Sequence, residues 1–160
     1  AHPMHPARAL ALSLPADTPV ARLLWQAVVD IGPREALGPG PLGERFIVPI
    51  LGGEFWGGHG HEALHGQVRP GGADRQLLRS DGVKELDAQY ELQLHDGTVL
   101  GVKNRVLVDE SREPRYARSW VQLSAPAGPW AWLNRRACVG ALQSRGAPAP
   151  AGGGGGVDDD

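Results

Sequence analysis

The chain has one cysteine, little net charge and no long apolar run, and each shortage removes a class of protein. With Cys138 the only cysteine among 160 residues, no intrachain disulfide can form and the fold must hold by burial. Cys138 lies in the apolar run Ala137-Cys138-Val139, so its thiol is expected to be buried and inert, a reactive one needing an electropositive neighbourhood. A formal charge of −2 and an isoelectric point near 6.3 supply no field that would gather nucleic acid or anionic lipid. No basic stripe interleaved with aromatics appears either, and no nucleic-acid partner is expected. Nothing approaches the ~20 consecutive apolar residues of a membrane helix, so no membrane partner is expected. The opening Ala1-His2-Pro3-Met4-His5-Pro6 lacks the charged and apolar regions of an uncleaved signal peptide, although it could remain after cleavage. The compartment stays open, a soluble cytoplasmic protein being slightly favoured over an exported one.

Familiar catalytic and cofactor signatures are missing as well. Ser80, Ser111, Ser119, Ser124 and Ser144 lie in no nucleophile-elbow context. The C-terminal glycine run has no following helix and no Lys-Ser/Thr, so it is no phosphate loop, and no cofactor is implied.

What the chain does have is punctuation. Its 23 glycines and 14 prolines fall between short apolar runs, as turn residues would. Residues 1–20, rich in Pro and Ala, read as a flexible lead-in; 21–145 read as a single domain; 146–160, with five glycines and three terminal aspartates, cannot bury enough apolar surface to order. Arg22 to Ile31 reads as a strand, a short helix at Ala21 to Val29 being the alternative, and Gly38 to Gly43 as part of a long loop. Arg45 to Leu51 is a second strand ended by Gly52-Gly53, where Pro49 suggests an edge or a bulge because it cannot donate to a ladder. Short segments follow at Ala63 to Arg69 and Arg75 to Arg79, each bounded by turn signals. Tyr116 to Ser124 alternates Ala117, Ser119, Val121 and Leu123 against Tyr116, Arg118, Trp120 and Gln122. Trp130 to Leu133 and Arg136 to Leu142 read as two more short strands.

The strongest local signal is Glu85 to His95, where Leu86, Ala88, Tyr90, Leu92 and Leu94 alternate with polar residues. Asp96-Gly97 follows, then Thr98 to Val108, which predicts a hairpin closed by a two-residue primed turn. Such a turn pairs residues whose numbers sum to ~193, bringing Asp87 opposite Val106 and Gln89 opposite Asn104. About eight short strands without helical period give an all-β fold: an antiparallel barrel, or alternatively a sandwich.

Several ordered motifs then carry a resemblance. Gly52-Gly53-Glu54-Phe55, Gly66-Gln67-Val68-Arg69-Pro70-Gly71-Gly72-Ala73-Asp74, Asp81-Gly82, Leu86-Asp87-Ala88-Gln89-Tyr90, Asp96-Gly97, Asn104-Arg105 and Trp132-Leu133-Asn134-Arg135 resemble, in order, the bacterial and fungal domain of unknown function 3237 family, also called uncharacterised protein family 0311. The likeness runs from about Arg22 to Gln143. It implies a β-barrel with a central cavity and no agreed general activity. The chain departs from the family in having Arg75 where Trp is usual, in four extra residues between Gly53 and Gly66, and in lacking the final apolar strand after Leu142, which bears on closure.

Two constellations could carry chemistry. His61-Glu62-Ala63-Leu64-His65 spells H-E-x-x-H, but zinc chemistry there needs a helix, and the surrounding glycines oppose one. On a strand, His59, His61 and His65 would share a face and could form a metal triad, as in the first motif of a cupin, although no second motif follows. The plainer expectation for these histidines is a Gly/His surface loop without a metal.

The second constellation is dispersed over the resembling motifs. Asp74 and Asp87 are the candidate proton acceptors, and Arg75, Tyr90, Asn104, Arg105, Trp132 and Asn134 the candidate ligand-binding residues. Asp87 and Asn104 are expected to face one cavity with Asp74 and Trp132. Against this stands a structural role: Asp74 capping a turn, Asp87 pairing with Arg105 across the hairpin. The leading expectation is a barrel binding a small, partly aromatic organic molecule in its lumen, with proton-transfer catalysis as an extension. The alternatives are a non-catalytic carrier or structural β module and, third, a cupin-like metal-dependent enzyme using His59, His61 and His65.

Overall fold

The computed structural model describes residues 3–144. The expected tail at 146–160 lies outside the described residues. Among the described residues nine strands form one antiparallel sheet: β1 (Trp25–Ile31), β2 (Glu35–Gly40), β3 (Gly43–Gly57), β4 (Gly66–Val68), β5 (Ala73–Leu78), β6 (Lys84–Leu94), β7 (Val99–Asp109), β8 (Tyr116–Ser124) and β9 (Cys138–Ala141). The order is β1, β3, β4, β6, β7, β8, β9, with β2 added to β3, and β5 placed between β3 and β6. The sheet coils into a closed barrel. Among the described residues no backbone ladder joins β9 to β1. Trp25, Ala27 and Val29 of β1 instead pack into the same core as Val121 and Leu123 of β8.

β3 is the pivot. Its first half pairs with β2 and its second half with β1, and Pro49 lies between the two ladders, where a missing N–H breaks nothing. Gly32 N–H donates to the Pro49 carbonyl at 2.9 Å. The strand does not end at Gly52-Gly53 as the glycines suggest. It bends there, with φ of +156° and +137°, and continues to Gly57. A Cβ on Gly53 would collide with the Val28 carbonyl oxygen, so glycine lets β1 approach the bend.

Other expectations are corrected too. The expected loop at 38–43 is largely β2 and a tight turn, Gly40 pairing with Gly43. Residues 6–13 of the lead-in form a helix, α1 (Pro6–Ser13), with Pro at its start and the His5 ring nitrogen accepting from Ala7 N–H. It buries no residue. Trp130 to Leu133 is not a strand but part of a 3₁₀ turn, Ala131–Arg135, that drives Leu133 into the core at 1% exposure.

The β6–β7 hairpin forms as expected, but its register differs by one. Leu94 N–H bonds the Thr98 carbonyl and Gly97 N–H the Leu94 carbonyl, making a three-residue turn with Gly97 at φ +91°. A left-handed third residue at this position is the usual bulged alternative to a two-residue turn. Asp87 therefore opposes Arg105 and Ala88 opposes Asn104.

Candidate functional site

Register decides which side chains enter the barrel. On β7 the inner face runs Leu100, Val102, Asn104, Val106 and Val108, and on β6 Leu86, Ala88, Tyr90, Leu92 and Leu94. Asp74 and Gln76 on β5 and Ser119 and Val121 on β8 complete it: Asp74, Ala88, Asn104 and Val121 make one row around the wall, Gln76, Leu86, Val106 and Ser119 the next.

The first of these rows lies between two apolar clusters, and the second shares Leu86 and Val106 with one of them. One contains Phe55, Leu92, Leu94, Leu100 and Leu133, and the other Leu86, Val106, Val108 and Ala117. Asn104 retains accessible surface although its inner-face neighbours Val102 and Val106 are 2% and 3% exposed. Ala88 and Asp74 in the same row are also only half-buried. Hence the polar row keeps more accessible surface than the apolar positions on either side of it.

The polar groups there are linked in part. Gln76 Nε2 donates to Asp74 Oδ2 at 3.0 Å. Gln76 is only 4% exposed, and its Oε1, like Asn104 Oδ1, is buried without a hydrogen-bond donor among the described residues. A buried acceptor left in that state costs about 1–3 kcal/mol. Burial pushes the Tyr90 phenol up to about 12, the nearby Asp74 carboxylate adding to the shift, so Tyr90 stays protonated and remains a donor.

The candidates from sequence divide accordingly. Asp74, Tyr90 and Asn104 come together inside. Asp87 does not: it stands exposed on the outer face, in register between Arg75 and Arg105, and the expectation that it shares a cavity with Asn104 is overturned by the three-residue turn. Arg75 and Arg105 are exposed on that outer face as well. Asn134 is occupied by structure: its amide accepts from Ala125 N–H at 2.8 Å and donates to the Ala125 and Ala131 carbonyls. Trp132 is held with the 3₁₀ turn at the apolar end, stacked on His61 at 5.8 Å with Arg136 also over its ring. Beside it, Asp96 accepts from Trp130 Nε1 at 2.9 Å, and this bond with those from Thr98 holds its carboxyl at about 2. Gln76 and Ser119 were missed. Each had a signal, Gln76 sharing its strand face with Asp74 and Ser119 being the polar member of an apolar face.

The histidines point to separate partners. Residues 58–65 form turns, not a helix; His61 lies on Trp132, His65 stacks on His95 at 4.4 Å, and His59 is fully exposed near Glu62. No group of three His, Cys, Asp or Glu side chains able to hold a metal occurs among the described residues, so the cupin-like alternative has no support. Cys138, expected to be buried, is only half-buried, and partial desolvation raises its thiol pKa. Two recesses open elsewhere on the barrel, the larger about 730 Å³, where Gly101 leaves space between Glu91 and Ser124 beneath Pro70 to Gly72. Tyr90 borders it, whereas Asp74, Gln76 and Asn104 do not.

The family described as "Protein of unknown function (DUF3237)" matches residues 19–149. A UPF0311 protein of Rhodopseudomonas palustris is 43% identical over 83 residues, 52% of this chain and 52% of that protein. The match thus spans about half the length of this curated relative. The solved structure of a conserved protein of unknown function from Rhodopseudomonas palustris superposes with a TM-score of 0.71 at 30% identity, over 81% of this chain and 93% of that one. A structure described as a beta-barrel like protein from Acinetobacter baumannii gives 0.67 at 25% identity, over 81% and 92%.

Proposed function

The chain belongs to the DUF3237 family of proteins of unknown function, and within that family we propose that it binds a small, partly aromatic organic molecule in the middle of the barrel. The observation that carries this reading is the polar row itself, which keeps accessible surface between two apolar clusters that bury theirs. Natural cores avoid unsatisfied buried acceptors, and a wall that retains them is suited to a ligand rather than to stability. The aromatic character expected of the ligand follows from the walls, where Ala88 and Val121 share the row of Asp74 and Asn104 and Tyr90 lies near Asp74.

Catalysis, if the bound molecule reacts, is assigned to Asp74 as proton acceptor and Tyr90 as hydrogen-bond donor to the oxygen on which charge develops. The geometry favours this pair over the other candidates: Asp87, Arg75 and Arg105 are outside, and Asn134 is fully engaged. A carboxylate base needs a donor at the developing oxyanion, and a phenol that remains protonated provides one.

The test is an unbiased metabolite screen by thermal shift and ligand-observed NMR, run in parallel on wild type and Ala88→Leu. Ala88 lies in register between Asp74 and Asn104, so leucine there fills the space in question. A hit retained by wild type and lost by Ala88→Leu supports the proposal. Hits unaffected by the filling place binding elsewhere and refute it. With a hit in hand, turnover abolished by Asp74→Asn while binding persists separates enzyme from carrier.

A further inference from the structure

Gln76 and Asn104 present side-chain oxygens to the inside of the barrel from strands separated by β6, in adjacent rows of the wall, Asn104 in register with the small Ala88 and Gln76 with Leu86. The orientation of Gln76 is set, because its Nε2 is committed to Asp74 Oδ2 and its Oε1 must therefore face away from that carboxylate. Asn104 Oδ1 is enclosed between Val102 and Val106 on its own strand, with Val121 across the next ladder. Neither oxygen accepts a hydrogen bond from the described residues. Both are acceptors only, so both call for an N–H or O–H.

We infer that the barrel selects its ligand by hydrogen-bond donors, taking ring compounds that carry an N–H or O–H edge toward Gln76 and Asn104 and rejecting analogues in which that hydrogen is replaced by methyl. This rests on the lumen-binding reading above and goes beyond it by naming the chemical class. A site built around buried polar groups discriminates strongly against a ligand that leaves them unpaired, whereas an apolar wall of similar size discriminates only by fit. The same reasoning predicts an unusual property of the unliganded protein. Replacing an unsatisfied buried amide by an apolar group of like shape removes a penalty, so Asn104→Leu should melt at or above the wild-type temperature while losing ligand preference, whereas Gln76→Met also removes the bond to Asp74 and should melt lower than Asn104→Leu.

The experiment uses matched probes: phenol against anisole, indole against N-methylindole, and benzamide against N,N-dimethylbenzamide. Dissociation constants are measured by ligand-observed NMR on wild type, Asn104→Leu, Gln76→Met and Ala88→Leu. The expected result is a preference of about tenfold or more for the donor-bearing member in wild type, falling toward unity in Asn104→Leu or Gln76→Met. Equal binding of both members, lost in Ala88→Leu, leaves lumen binding standing and overturns donor selection. A preference that persists in both apolar variants also overturns it, since recognition then lies elsewhere. Failure of every probe to bind wild type counts against both readings. The comparison within each probe pair needs no variant, so a variant that fails to fold does not spoil the test.

Discussion

Along one strand, β7, the inner face passes from Leu100 and Val102 through Asn104 to Val106 and Val108. The four apolar side chains are 0–3% exposed, whereas the amide between them keeps surface and an unmet acceptor. β6 repeats the contrast, with Leu92 at 1%, Leu86 at 3% and half-buried Ala88 and Tyr90 between. The ends of the barrel are built as a core is built, close-packed and apolar. The middle has the same strands and the same alternation but substitutes polar or small residues where apolar ones would pack better. Stability and the candidate site therefore occupy different rows of one wall, and substitutions in the two should behave differently.

The largest effect is expected at the packed end. Phe55 is 2% exposed, and Phe55→Ala should cost about 3–5 kcal/mol through lost burial and a residual cavity, measured by chemical denaturation. A loss under about 1 kcal/mol would mean that this end is not the core it resembles. Next is the middle of the wall under alkali. With Tyr90 raised to about 12 in the fold against an ordinary ~10 when unfolded, its contribution is fully present below pH ~10 and is lost as pH rises toward 12. The loss should be on the order of 2 kcal/mol, absent in Tyr90→Phe, and ultraviolet difference absorbance should show one tyrosine ionising late.

Smaller again is the clamp at the 3₁₀ turn. Asn134→Ala removes the bonds to Ala125 and Ala131 and should cost about 1–2 kcal/mol, with faster amide exchange at Ala125 and no change in lumen binding. Loss of ligand affinity at unchanged stability would restore Asn134 to the site. The smallest effect belongs to the outer face: Asp87→Asn should change stability by no more than about 0.5 kcal/mol and leave ligand affinity as it was. An affinity drop of tenfold in that variant would break the division between inner and outer rows.

Much of this division was legible from residue order. Period-two alternation from Glu85 to Leu94 identifies β6 and both its faces, and the Tyr116 to Ser124 alternation does the same for β8. Asp74, Tyr90 and Asn104 were legible as site candidates because they lie in the motifs that carry the family likeness. The 3₁₀ turn was not legible, since Trp130 to Leu133 is apolar at a length that suits a strand as well as a turn; it is Leu133 entering the core and Asn134 clamping Ala125 that decide.

The long strands β6, β7 and β8, the position of the turn at Asp96-Gly97 and the barrel class are thus properties of the sequence by itself, because alternation and Gly/Pro chemistry act over a few neighbouring residues. Whether Asp87 or Asp74 enters the barrel is not. A pleated strand offers two faces, and cross-strand partners change with a one-residue difference in turn length, as the left-handed Gly97 and the Leu94–Thr98 pair show. Only the assembled ladders from β3 to β8 place Asp74, Gln76, Tyr90 and Asn104 on the enclosed side and leave Asp87 between two arginines in solvent. The reason is geometric: burial is a property of the closed wall, shared by strands distant in sequence, and no single segment of this chain contains it.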